Sequence, residues 1–293
     1  MTIEKSINQF IRSTESKLSH KTTSTYRRNL KQFESWFGGE KLLQDLTNFD
    51  IENFQIYLRG EYKEATQNNF ASALRTFAKY WFAYRKTEVA WELIKGPRIP
   101  EKLVNFITEE KFNRINETLN EDEYYKLTKK LIFHLLWNTG MRIGELISLN
   151  IEDLNSKNNY VHILTEKSKK LRVVMWNEEC HRLLIKYLGV RLSLNSAPEL
   201  FQTPQAGSNR VRTRLTARTV QRWCKEIGDE LGFKINPHAF RHGKCHYILN
   251  CGGSRQHIMT IVGHSDIRSS ESYLRLNIFE QKNIQEQYLP RTV

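Results

Sequence analysis

Gly96-Pro97-Arg98-Ile99-Pro100 interrupts a chain that elsewhere reads as long helical patterns, and neither proline fits inside a helix. Each proline removes a backbone donor and biases the residue before it toward extended conformations, so no single helical stack can run through this point. The chain therefore divides into residues 1–95, a linker over 96–104 and residues 105–293. At 39% hydrophobic and 26% charged residues, 293 residues are enough for a core on each side, which excludes disorder as the main state.

Before the break, apolar residues recur at helical spacing. Tyr26, Leu30, Phe33 and Phe37 stand at i, i+4, i+7 and i+11 ahead of Gly38-Gly39, and Phe70, Leu74, Phe77 and Trp81 repeat the pattern. Thr47-Asn48-Phe49-Asp50 has the form of a capping signal and opens a short helix with Ile51, Phe54 and Leu58 on one side. With an opening helix near residues 3–17, this predicts a four-helix unit whose aromatic spacing serves core packing.

After the break, Thr108 can cap a helix from Glu109, and Tyr124, Leu127, Leu131 and Leu135 mark the apolar face of another that stops at Gly140. Residues 160–164 and 171–176 are rich in Val and Ile around a polar stretch, which predicts a β-hairpin. Helices follow near 178–188 and 217–231, the second carrying Val220, Trp223, Ile227 and Leu231 before Gly232. The fold class is mainly α with a small β-hairpin or sheet.

Charge narrows the partner. Lys and Arg number 45 against 32 acids, and both parts share the excess, with 16 bases to 11 acids in residues 1–100 and 29 to 21 beyond. Counterion release and long-range steering make a polyanion, most simply nucleic acid, the natural partner. Cys180, Cys224, Cys245 and Cys251 show no Cys-x-x-Cys spacing, which argues against a zinc ribbon and suits small core residues in a reducing compartment. The longest strongly apolar run, Leu131 to Trp137, is broken by His134 and too short to span a bilayer, and the start Met1-Thr2-Ile3-Glu4-Lys5 is no signal peptide. The expectation is a soluble cytoplasmic protein.

Chemistry-bearing residues gather in the second part. Thr139-Gly140-Met141-Arg142-Ile143-Gly144-Glu145-Leu146 puts Arg142 just past a helix-ending glycine and at the next helix start, where backbone donors point outward to make a reasonable anion site. Asn236-Pro237-His238-Ala239-Phe240-Arg241-His242 sets His238 and Arg241 three apart, on one helix face. Gly263-His264-Ser265 follows, and Tyr273 comes nine residues after His264. A metal site is the rival reading of His238, His242 and His246, spaced i, i+4 and i+8 beside Cys245, although the His-Glu-x-x-His glutamate is lacking. With no Gly-rich Lys-Ser/Thr loop and no carboxylate cluster suited to Mg²⁺, neither ATP nor two-metal hydrolysis is implied, and no cofactor is expected.

Arg142, a lysine in a hairpin, His-x-x-Arg-His, Gly-His-Ser and then tyrosine, in that order, resemble the tyrosine recombinase (phage integrase) family over most of the chain, and its compact Xer-type members in particular. The resemblance implies a helical, SAM-like core-binding domain over 1–95 and a mixed α+β catalytic domain with a C-terminal tail over 105–293. It implies Tyr273 as nucleophile, Arg142 and Arg241 as the phosphate clamp, and His238 and His264 sharing proton removal and phosphate donation. The general-acid lysine belongs in Thr165-Glu166-Lys167-Ser168-Lys169-Lys170-Leu171-Arg172. Aligned through Arg172 and Val174, Lys167 takes the family's Gly-Lys-Gly position, but Glu166 and Ser168 replace both glycines and Met175 stands where proline is common, so Lys169 and Lys170 remain contenders.

Chemical need agrees with these roles. A phosphotyrosine conserves the energy of the cut bond, and planar, permanently charged guanidinium groups favour the extra negative charge of a pentavalent phosphorane. Glu145 reads as a helix-start acid or an orienting partner for a cation, and His242 as a supporting residue. Arg210, Arg212, Arg214, Arg218 and Arg222 read as solvated charges able to touch DNA backbone. The implied partner is double-stranded DNA with specific sites, held by a homo-tetramer or with a paired recombinase. The apolar tail residues Ile278, Phe279, Ile284, Tyr288 and Leu289 would then dock on a neighbouring protomer or on their own domain. A type IB topoisomerase-like relaxing enzyme and a non-catalytic DNA-binding protein are the alternatives.

Overall fold

A computed structural model describes residues 1–100, 104–155, 158–164, 171–204 and 211–263. The chain forms two compact units, Met1–Lys102 and Leu103–Val293.

The first unit is built from α1 (Ile3–Glu15), α2 (His20–Phe37), α3 (Asn48–Glu61) and α4 (Glu64–Ala83). Thr2, Ser19 and Thr47 cap the first three with side-chain oxygens, and Thr47 forms a reciprocal box with Asp50. Gly38, at φ 107°, ends α2. Leu30, Phe33 and Phe37 of α2 and Phe70, Leu74, Phe77 and Trp81 of α4 are all buried in one core, each contributing roughly 1.5–3 kcal/mol of burial. The opening part of the proline break is tied to this unit, because Arg75 Nε donates to Ile94 O at 2.7 Å, Gln55 Nε2 to Lys95 O at 2.8 Å and Asn68 Nδ2 to Pro97 O at 3.0 Å. Side chains thus satisfy carbonyls that the prolines keep out of any helix.

The second unit contains α5 (Glu109–Glu117), α6 (Tyr124–Thr139), α7 (Ile143–Ser148), β1 (Leu154–Asn155), β2 (Tyr160–Leu164), β3 (Leu171–Met175) and α8 (Glu178–Leu194). After these come β4 (Gln202–Pro204), β5 (Val211–Arg214), α9 (Ala217–Leu231), α10 (Pro237–Asn250) and α11 (Arg255–Val262). β1, β2 and β3 form an antiparallel sheet in chain order, with Ile163 opposite Arg172 and Leu164 opposite Leu171. A second pair, β4 with β5, is too short and polar to show in the sequence pattern. α6 packs against both α8 and α10, and accordingly buries residues on nearly every side, including Thr128 and His134 as well as the expected leucines.

α8 runs past residue 188 to Leu194 because Arg191, fully buried, donates to the carbonyls of Asn195, Ala197 and Glu199 and so closes the chain's exit. Three cysteines are core residues as expected, whereas Cys251 at the end of α10 is exposed. Arg214 departs from the reading as a solvated charge, since it donates to Ile147 O and Leu149 O at 3.1 Å and to Asn150 Oδ1 at 2.7 Å. Among the described residues, no helix is long and apolar enough to cross a membrane.

Candidate active site

Helix endings set the positions of the cationic residues. α6 stops because Gly140 adopts the left-handed conformation at φ 60°, ψ 20°, and Arg142 then serves as the extended N-cap residue of α7. The donors expected to point outward at this helix start are partly used within the protein. Arg142 N donates to Glu145 Oε2 at 2.8 Å, and Arg142 Nη1 to Glu145 Oε1 at 3.0 Å.

α10 begins at Pro237 behind Asn236, whose side chain accepts from Ala239 N at 2.9 Å. Phe240 is buried in the main core and Gly243 lies directly under the backbone of Ile107, so the helix is held tightly. On it, Arg241 is 3% exposed, and its Nη1 donates to Gly140 O at 2.9 Å. Arg241 Nη2 is buried and has no hydrogen-bond partner among the described residues. Burial, and then the neighbouring charge of Arg142, push the Arg241 guanidinium down to about 10.

Glu145 is the hub. Its side chain is 2% exposed, and besides the two donors of Arg142 it accepts Arg172 Nη1 at 3.1 Å and Arg172 Nη2 at 2.7 Å. Burial alone would raise the Glu145 carboxyl, but the hydrogen bonds from Arg172 and Arg142 outweigh it and hold the group below its ordinary value. Three guanidinium groups and one carboxylate leave a local excess of positive charge, suited to a phosphate with its non-bridging oxygens.

Arg172 escaped the sequence reading except as an alignment anchor. A signal was present, because along β3 it shares the buried parity with Val174 while Leu171, Val173 and Met175 are exposed. An arginine on the core side of a strand demands a partner. Glu145, read as an orienting partner for a cation, turns out to serve two.

The structure brings Arg142 and Arg241 together through the Gly140 turn. His238 lies on α10 one turn before Arg241, and its ring stands 6.3 Å from that of His242. Burial and then His238 push the His242 imidazole down to about 4. His246, the third residue of the metal reading, stacks on Phe106 at 4.4 Å and pairs with Asn250 through Nδ1. Lys167, Lys169, Lys170, His264, Tyr273 and the apolar tail residues lie outside the described residues.

Comparison with known proteins gives the same answer from a different direction. The profile of the "Phage integrase family" matches residues 105–278, and that of the "Phage integrase, N-terminal SAM-like domain" matches residues 7–86. The chain is 28% identical over 287 residues to the tyrosine recombinase XerD of Haemophilus ducreyi, and 26% identical over 290 residues to that of Pasteurella multocida, covering 94% of both chains in each case. Its fold matches a crystal structure of XerA recombinase at 26% identity and TM-score 0.54, with 98% of this chain and 99% of the other covered. It also matches the Tn1549 transposon integrase in complex with a circular intermediate DNA, at 18% identity and TM-score 0.77, covering 99% of this chain and all of the other. The chain belongs to the phage integrase family, the tyrosine-type site-specific recombinases.

Proposed function

We propose that this recombinase cuts a DNA strand with Tyr273 and rejoins it to a partner duplex through a 3′-phosphotyrosine and a Holliday junction. The phenolic oxygen attacks the scissile phosphorus, the bond to the 5′ oxygen breaks, and that oxygen leaves with a proton. Arg142 and Arg241 hold the non-bridging oxygens, Lys167 supplies the leaving-group proton, and His238 and His264 share proton removal from the tyrosine and donation to phosphate. The released 5′ hydroxyl attacks the phosphotyrosine on the partner duplex, the bond from phosphorus to the tyrosine oxygen breaks, and the proton lost by the hydroxyl is matched by one regained by the leaving phenol, so bond energy is conserved without ATP or a metal. The reading extends to four protomers on two sites, as a homo-tetramer or with a paired recombinase, in the cytoplasm.

The observation that carries this reading is the buried Arg241 guanidinium, tied by one nitrogen to Gly140 O beside half-exposed Arg142 and with Nη2 buried without a partner among the described residues. The test is a nicked suicide duplex bearing the chain's own site, recovered by sequencing DNA covalently attached to the protein in its host. Unsubstituted protein is expected to form an adduct that Tyr273→Phe does not. Plasmid relaxation without site preference or synapsis would favour the topoisomerase alternative instead.

A further inference from the structure

Resting on that reading, we propose that Arg172 is a positioning residue of the recombination site: by holding both oxygens of Glu145 it keeps Arg142 available to the scissile phosphate. Glu145 is a buried carboxylate beside Arg142, a half-exposed guanidinium. An isolated charge so deeply buried takes whatever cation it can reach. With Arg172 in place, Oε1 and Oε2 each receive one of its nitrogens, and Arg142 contributes one backbone and one side-chain donor. The shared load leaves Arg142 anchored at one end of its fork and 32% exposed.

Arg172 itself has no room for substrate. Its side chain is 6% exposed, both terminal nitrogens donate to Glu145, and its Cδ, Nε and Nη1 occupy the place where a side chain at Gly263 would begin. A Cβ at Gly263 would stand 2.8 Å from Arg172 Cδ and 3.1 Å from Nε. The guanidinium therefore joins three stretches that carry the motifs: β3 on which it sits, the 139–146 turn through Glu145, and the end of α11 just before His264. A rigid bidentate pair suits that task, and a lysine ammonium does not reproduce it.

Removing Arg172 leaves ionised Glu145 to draw Arg142 inward, so chemistry fails before binding does. Arg172→Met is expected to slow adduct formation on the nicked site by about 100-fold while duplex affinity, read by fluorescence anisotropy at fixed salt, changes less than about twofold. Adding Glu145→Gln removes the competing charge, and the double variant is expected to recover about 10-fold over the single one. The rate ratio of Arg172→Met to unsubstituted protein should also rise as pH falls, because protonating Glu145 frees Arg142. Arg172→Lys, which keeps a charge and is the safer variant to fold, should give an intermediate rate and the same pH trend.

A double variant no faster than Arg172→Met, together with a flat pH ratio, would overturn the proposal, as would affinity falling in step with rate. If Arg172→Met melts below assay temperature, Arg172→Lys reacting at the unsubstituted rate sinks it. Absence of an adduct from the unsubstituted chain removes the Tyr273 cleavage reading itself, whereas a normal adduct with indifferent Arg172 variants removes only this inference.

Discussion

Arg241 Nη1 donates to the carbonyl oxygen of Gly140 at 2.9 Å, joining residues 101 positions apart in sequence. The carbonyl is available because the left-handed glycine ends α6 there, and the bond holds the guanidinium at the turn that leads to Arg142, whose charge acts on it. On the proposed role of Arg241 as a phosphate clamp, Arg241→Lys keeps a charge but loses the fork that would serve Gly140 and a phosphate together. Adduct formation should fall by about 10²–10³, equivalent to roughly 3–4 kcal/mol, in single-turnover assays at saturating DNA.

Glu145 and Arg172 form an ion pair buried on both sides. Glu145→Gln strands the Arg172 charge in the core without an ionic partner, and is expected to destabilise the second unit by about 3 kcal/mol in urea melts. Glu145→Gln with Arg172→Met should be less damaging than the sum of the two single changes, a non-additivity that a double-mutant cycle measures directly.

Two glycines should respond in opposite directions. A Cβ at Gly243 would lie 2.2 Å from Ile107 O, where backbone also donates from Ile107 N to Ala239 O, so Gly243→Ala must displace main chain and should cost about 3 kcal/mol. Gly189 sits within α8 with nothing within 4 Å of where an added methyl would stand, and Gly189→Ala should stabilise by about 1 kcal/mol through helix propensity. Thermal melts of the two variants check both signs.

His134 in α6 is 3% exposed, with Nε2 2.8 Å from Asn116 Oδ1, and burial followed by Lys130 pushes its imidazole down to about 4. The neutral ring is favoured on folding, so its contribution is complete above the unfolded value near 6.5 and is lost progressively as pH falls toward 4. At about pH 5 the loss is roughly 2 kcal/mol. His134→Gln retains a donor for Asn116 and does not titrate, so the stability difference between about pH 7 and pH 5 should shrink in this variant. Denaturant titrations at the two pH values supply the comparison.

Much of the local architecture was legible in the residues alone. Thr47 with Asp50, Thr108, Gly140 and Gly232 mark helix ends where the structure has them, and the aromatic spacing of α2 and α4 marks their buried faces. Capping and apolar periodicity act over a few residues, so the information lies within the segment itself. Likewise, the motif order that resembles the family singles out Arg142, His238 and Arg241 without reference to the fold.

Tertiary structure decided who pairs with whom. Nothing near Arg172 in the chain announces Glu145, and nothing near Arg241 announces Gly140; the packing of β3 and of α10 against α6, which leads into the turn carrying Gly140 and Glu145, brings them within reach. Arg214, in a run of exposed-looking arginines, became a brace for the 147–150 carbonyls for the same reason. A charge's partner is chosen by which distant elements pack against it and by the dielectric they create, and neither quantity is local to the sequence.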